Sequence, residues 1–220
     1  QDLGKSSARV KFSHLFSKSR AVNYLSAARL FLFAARDVWF VVALPVYLSS
    51  ALGWDHWAVG AFLASWILGY GMVQSIAPQL TSRGGAGVPD GRIACGWATA
   101  LAVVPACIAI AVNEEVLLPY SLLAGVLVFG VLFAVNSALH SYLIVSYTDA
   151  AAVSLDVGFY YMANAMGRLL GTVLSGWVFQ VWGLAACLLI SSALIGMSAL
   201  VALLLPRHQD TPEDRFVGLK

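Results

Sequence analysis

At 220 residues, with 60% hydrophobic and only 11% charged side chains, this chain has too little polar surface to face water; soluble domains carry about 25% charged residues. The bilayer is therefore its expected solvent, and a net charge of +2 points to no nucleic-acid partner. Cys95, Cys107 and Cys187 fall inside apolar runs at no metal-ligand spacing, so neither a metal nor another cofactor is expected.

Residues 1–21 are a polar tail carrying Lys5, Arg9, Lys11, Lys18 and Arg20. The tail reads as cytoplasmic, or as a linker between two halves of a longer transporter. No cleavable signal peptide is expected, since the first apolar run is too long and lacks a small-residue cleavage site. Residues 22–205 hold six apolar stretches: 22–49, 57–80, 93–112, 116–145, 157–181 and 184–205. Each is near or above the ~20 residues a helix needs to cross a bilayer. The expected class is all-α, a polytopic membrane protein whose six transmembrane helices form one bundle. No stretch alternates over ten-residue blocks as a membrane barrel requires. Residues 206–220 form a C-terminal tail with Arg207, Arg215 and Lys220.

The basic residues outside the spans are the five of the first tail, Arg83 and Arg92 in the Gly-rich 81–92 connection, and the three of the last tail. All fall on one side. The opposite connections carry only Asp55, Glu114 and Glu115. By the positive-inside rule both termini are expected in the cytoplasm of a bacterial cell, with the bundle in its inner membrane.

Three arginines lie inside the spans, where a charge at the bilayer centre costs at least ~2.5–3.5 kcal/mol on insertion scales. Arg29 stands roughly one turn past the cytoplasmic interface, and two readings are open: a snorkelling side chain or the approach to a substrate. Arg36 is ~10 Å deeper, near the midplane, and shares a face with Arg29 because seven residues make nearly two turns. Asp37 is its neighbour and an expected counter-ion when no ligand is bound. Arg168 reaches a similar depth in the fifth span, with no acid within a turn on its own helix.

Tyr160 or Tyr161, Asn164, Arg168 and Gly171 fall on one stripe of that span. Asn136 and His140 share a face of the fourth; each suits gating or a plain interhelical hydrogen bond. Gln74 and Tyr70 add polar groups in the second span. Gly167, Gly171 and Ser175 form a small-residue ridge, and Pro45, Pro78 and Pro105 mark possible kinks. A guanidinium stays protonated and matches phosphate, arsenate or carboxylate oxygens in bidentate fashion. The expected binding set is thus Arg29, Arg36, Tyr161, Asn164 and Arg168, with Asp37, Asn136 and His140 in gating or coupling. The competing structural reading is an Arg36–Asp37 pair that only locks helices together. No enzyme is expected: Ser175 and His140 are the one tempting nucleophile–base pair, and depth keeps them apart.

The stretches NYLSAARLFLFAARDVWFVVALPVYLSSALGW, WILGYGMVQSIAPQL and FYYMANAMGRLLGTVLSGWVFQVWGLAACLLISSAL resemble the C-terminal half of the ArsJ family, organoarsenical efflux permeases of the major facilitator superfamily. Those transporters have two six-helix halves with substrate at their interface. The resemblance implies export of 1-arseno-3-phosphoglycerate, which releases arsenate, and hence arsenate resistance. It also implies a partner, either the other six-helix half or a second copy, and the chain reads as a half, a fragment or one product of a split gene. The 81–92 connection departs from the facilitator loop signature, having Arg83 and Arg92 but no Asp beside Arg83. Other substrates remain open at this point, including another organic anion or organophosphate.

Overall fold

The computed structural model describes Ser17 and residues 19–82, 90–148 and 153–206. The charges at Lys5, Arg9, Lys11, Lys18, Arg83, Arg207, Arg215 and Lys220, and with them most of the topology argument, lie outside these residues. All regular structure among the described residues is helical: α1 Arg20–Phe40, α2 Ala43–Ser50, α3 His56–Ser82, α4 Gly91–Asn113, α5 Tyr120–Tyr147 and α6 Val153–Ala202. Five helical segments are long and apolar enough to cross a membrane, counting α1 and α2 together as Arg20–Ser50.

The break between α1 and α2 has a local cause. Pro45 has no N–H, and its ring collides with the carbonyl four residues back, at Val41. The helix resumes with Val46 N–H on the Val42 carbonyl. The freed N–H of Ala43 donates to Ser175 Oγ of α6 at 3.1 Å, in a buried position. Ser175→Ala leaves that donor without a partner, and loses about 1–3 kcal/mol of stability. Thermal unfolding of the detergent-solubilised chain reads this loss; an unchanged midpoint contradicts the contact.

Polar caps start the helices that follow connections. Ser19 Oγ accepts from Val22 N, Asp55 Oδ1 from Ala58 N at 2.7 Å, and Asp90 Oδ1 from Arg92 N and Ile93 N. The fourth expected stretch begins later than its hydropathy suggests, at Tyr120, because Glu115 and Leu117 have positive φ and hold the chain in a turn.

The expected fifth and sixth stretches join as α6, a 50-residue element interrupted only at Gly183, whose φ of 76° and ψ of −172° are open to glycine and rare for L side chains. The chain reverses there. Ser198 Oγ donates to the Ala28 carbonyl at 2.8 Å, while Gly167 rests against Leu30 one half-turn along. In a straight helix those two α6 residues would stand about 45 Å apart. α6 is thus a hairpin of two limbs, 153–182 and 184–202, that grip α1 between them.

Close backbone approach makes this grip. A Cβ on Gly167 would collide with the Leu30 carbonyl, and one on Gly171 would fall 2.6 Å from the Ala34 carbonyl. The small-residue ridge therefore faces α1. On the other flank Trp66 of α3 donates to the Val126 carbonyl of α5 at 2.9 Å, in space that Gly130 leaves open. Ser192 ties the second limb of α6 to Ala102 of α4 at 2.6 Å. Leu32, Val38, Trp39, Leu44, Phe129 and Phe133 fill the core between α1, α2 and α5. The outer surface is apolar, with Leu68, Met72, Ile110, Val145, Leu169 and Val173 exposed. Such a surface suits lipid, and the helices are compatible with a multi-pass membrane protein.

Candidate binding site among the buried arginines

Two polar layers cross the core, about 10 Å apart along α1. The first centres on Asp37, whose side chain is 1% exposed. Its Oδ1 accepts from Arg36 Nε at 2.6 Å and its Oδ2 from Arg168 Nε at 3.2 Å. One carboxylate thus bridges two guanidiniums on two helices. Gly171 makes this possible: a Cβ there would lie 3.0 Å from Asp37 Cβ, so any larger residue would wedge α6 away from the acid. Arg168 has no acid near it on its own helix, yet it has one across the α1–α6 contact. The Arg36 side chain is 13% exposed and that of Arg168 56%, so the layer is closed behind Asp37 and open in front.

The second layer centres on Arg29. Its Nε donates to Asn164 Oδ1 of α6 at 3.2 Å and its Nη1 to the Ser137 carbonyl of α5 at 3.0 Å. Gln74 of α3 reaches Ser137 Oγ at 3.3 Å, so one hydrogen-bonded chain joins four helices. The guanidinium carbon sits 4.2 Å from the centre of the Phe33 ring and 5.1 Å from that of Tyr160. Arg29 is 5% exposed, which overturns the snorkelling reading: its stem turns inward to these acceptors instead of outward to an interface. No acid among the described residues pairs with it; the two ion pairs present both belong to Asp37.

Phe33 links the layers. It stands between Arg29 and Arg36 on α1, and the Arg36 guanidinium lies 5.0 Å from the same ring and 5.4 Å from Phe133. Aromatic faces therefore take up cationic charge that acids do not neutralise.

The structure thus brings together Arg29, Arg36, Asp37, Asn164 and Arg168; among the described residues the other three expected residues make no hydrogen bond or ion pair with this set, although Tyr161 and His140 lie within electrostatic range of Arg29. Tyr161 is exposed on the neighbouring face; its stripe-mate Tyr160 holds the ring against Arg29. Asn136 points away from the arginines, its Nδ2 donating to the Trp97 carbonyl of α4 at 3.0 Å and to Leu132. His140 is fully buried one turn beyond Ser137, and neither ring nitrogen has a hydrogen-bond partner among the described residues. Ser175 lies at the level of Ala43 and Ser137 at that of Arg29, about 20 Å apart along the first two helices, so His140 does not approach Ser175. Residues not expected at the site are Phe33, Phe133 and the Ser137 carbonyl; Tyr160, the other tyrosine the stripe admitted, takes the place given to Tyr161. For Phe33 a signal existed: it falls one turn from each of the two α1 arginines.

Three guanidiniums and one carboxylate therefore occupy the two layers, a cationic surplus able to hold an anion with several charge-assisted hydrogen bonds. No family model matches the chain, and no curated protein matches it.

Proposed function

We propose that this chain is a six-pass half of a facilitator-type transporter that carries an organic anion across the membrane by alternating access. The observation that carries this reading is the charge surplus: among the described residues Arg36 and Arg168 share Asp37 alone, and Arg29 has only neutral acceptors. Buried charges normally come paired, and a membrane-embedded surplus is stabilised when an anion arrives. The exposed edge of Arg168 favours a face that meets water and substrate over one that meets lipid.

The bundle's ends agree with a membrane setting. Trp57, Tyr120, Trp177 and Trp182 are exposed beside the 51–55 and 114–119 connections and Gly183, as an aromatic belt at one interface would be. In the proposed topology these lie on the outer side of a bacterial inner membrane, with both termini in the cytoplasm. The remaining wall of the substrate cavity comes from a second six-helix unit, either the other half of the transporter or a second copy.

For the substrate, the resemblance to ArsJ permeases favours an anionic organoarsenical such as 1-arseno-3-phosphoglycerate, whose oxoanion groups suit guanidinium forks. Another organophosphate is the alternative. The reading needs no cofactor and no catalytic step. The test is arsenate tolerance of a sensitive bacterium expressing the chain with and without glyceraldehyde-3-phosphate dehydrogenase, alongside uptake of labelled organophosphates by inverted vesicles. Tolerance that depends on the dehydrogenase supports the organoarsenical. Organophosphate uptake without tolerance supports the alternative. Neither tolerance nor uptake, with the partner half supplied, sinks the transport reading.

A further inference from the structure

Asp37 meets both arginines from the side. It takes only the Nε–H of each, and among the described residues neither guanidinium makes another hydrogen bond. The N–H groups on Nη1 and Nη2, the end of the planar fork, are therefore unspent on both arginines. The acid is closed off at 1% exposure while the Arg168 side chain is 56% exposed. The carboxylate sits at the back of the layer, with the Arg168 fork exposed at the front and the Arg36 fork, 13% exposed and free of other hydrogen bonds, beside it over Phe33 and Phe133.

A carboxylate with one oxygen on each of two guanidiniums fixes their separation and holds both planes by one edge. Taking Asp37 away would leave two like charges free to move apart, each with its full rotamer freedom. The charge count also permits a ligand with the acid in place, since two cations against one carboxylate remain net positive. We propose that Asp37 is a positioning residue that stays on both Nε groups while a tetrahedral oxoanion, of the phosphate or arsenate class, binds the Nη groups of Arg36 and Arg168 from the open side. The acid then acts with the ligand present, and not only as its stand-in. This rests on the anion-transport reading above.

The test uses the purified full chain in detergent and glycerol 3-phosphate, a probe with a phosphate and no carboxylate. Asp37→Asn is expected to weaken binding by about tenfold or more in calorimetry, as expected when charge-assisted contacts lose their alignment. If Asp37 instead competes with the anion, the same substitution tightens binding. Tighter or unchanged binding overturns the proposal. A second measurement needs no variant: with carbon-13-labelled aspartate, the infrared aspartate carboxylate bands, that of Asp37 among them, are expected to stay in place on addition of the probe. A band that moves as both N–H partners leave overturns the proposal even if the Asn variant fails to fold. Wild-type protein that does not bind the probe with the second six-helix unit supplied, or Arg36→Gln and Arg168→Gln variants that bind it like wild type, bring down the anion reading itself and leave the packing of Asp37 untouched.

Discussion

Arg168→Gln abolishes transport and leaves the protein folded. The two halves of this expectation come from different contacts. Arg168 is half-exposed and makes a single hydrogen bond in the fold, to Asp37 at 3.2 Å. Asp37 keeps its shorter bond to Arg36 at 2.6 Å, so no buried charge is orphaned. Asp37 is buried, so a hydrogen bond between it and a charged partner is worth about 1.5–3 kcal/mol, and the glutamine amide still offers a donor. Stability should therefore fall by less than that. Toward an oxoanion the loss is full, because the neutral amide has no fork. A hydrogen bond to a charged group is worth about 1.5–3 kcal/mol, so losing one fork weakens binding by roughly 10- to 150-fold. Arg36→Gln should lose both, because its guanidinium is mostly buried, holds Asp37 and lies over Phe33 and Phe133. Vesicle uptake and thermal unfolding of the two variants separate these outcomes. Normal uptake by Arg168→Gln removes this residue from the site.

The helices were legible from hydropathy because spans of this length leave little else for the chain to do, and the stop before α2 follows from Pro45 alone. The core of the site was legible only in part. Arg36 and Asp37 are neighbours in sequence, so their pairing needed no tertiary knowledge. The second arginine on Asp37 comes from α6, and that contact depends on Gly167 and Gly171 facing α1 rather than another helix. A stripe of small residues reveals a close contact without naming its partner. Tyr160 and Tyr161 differ by one step, which is about 100° around a helix, and the stripe admitted both. Arg29 stood between two readings for a reason of reach. Its long side chain allows either an outward or an inward course, and the decision falls to Asn164 and the Ser137 carbonyl, groups on two other helices. Asn136 shows the converse: its face was readable, yet its partner on α4 was not.

The largest structural effect is expected from Gly167→Val. The Cβ of any residue here would collide with the Leu30 carbonyl, which is backbone within a helix and has no rotamer to move to. Ordinary carbon contacts need about 3.5 Å, so α1 and α6 must separate by on the order of an ångström. Overpacking of this kind costs about 1–3 kcal/mol by itself. Here the polar layers add to it, because they flank the same contact. Asn164 lies just before Gly167 and holds Arg29 at 3.2 Å; Arg168 follows it and holds Asp37 at 3.2 Å. Both bonds sit near the limit of hydrogen-bond distance, and a shift of an ångström breaks them. Arg29 would then be a buried cation with one acceptor fewer, and leaving a buried donor unsatisfied costs about 1–3 kcal/mol, more on a charged group. Gly176→Ala on the same limb is the control, since nothing lies within 4 Å of its added Cβ. Size-exclusion profiles and unfolding midpoints in detergent should show Gly167→Val aggregated or strongly destabilised and Gly176→Ala like wild type. Equal behaviour of the two variants would mean that α6 does not press on α1 at Leu30. Both arginine layers would then lose their common support, because the contact that closes the helices is the one that brings Arg168 to Asp37 and Asn164 to Arg29.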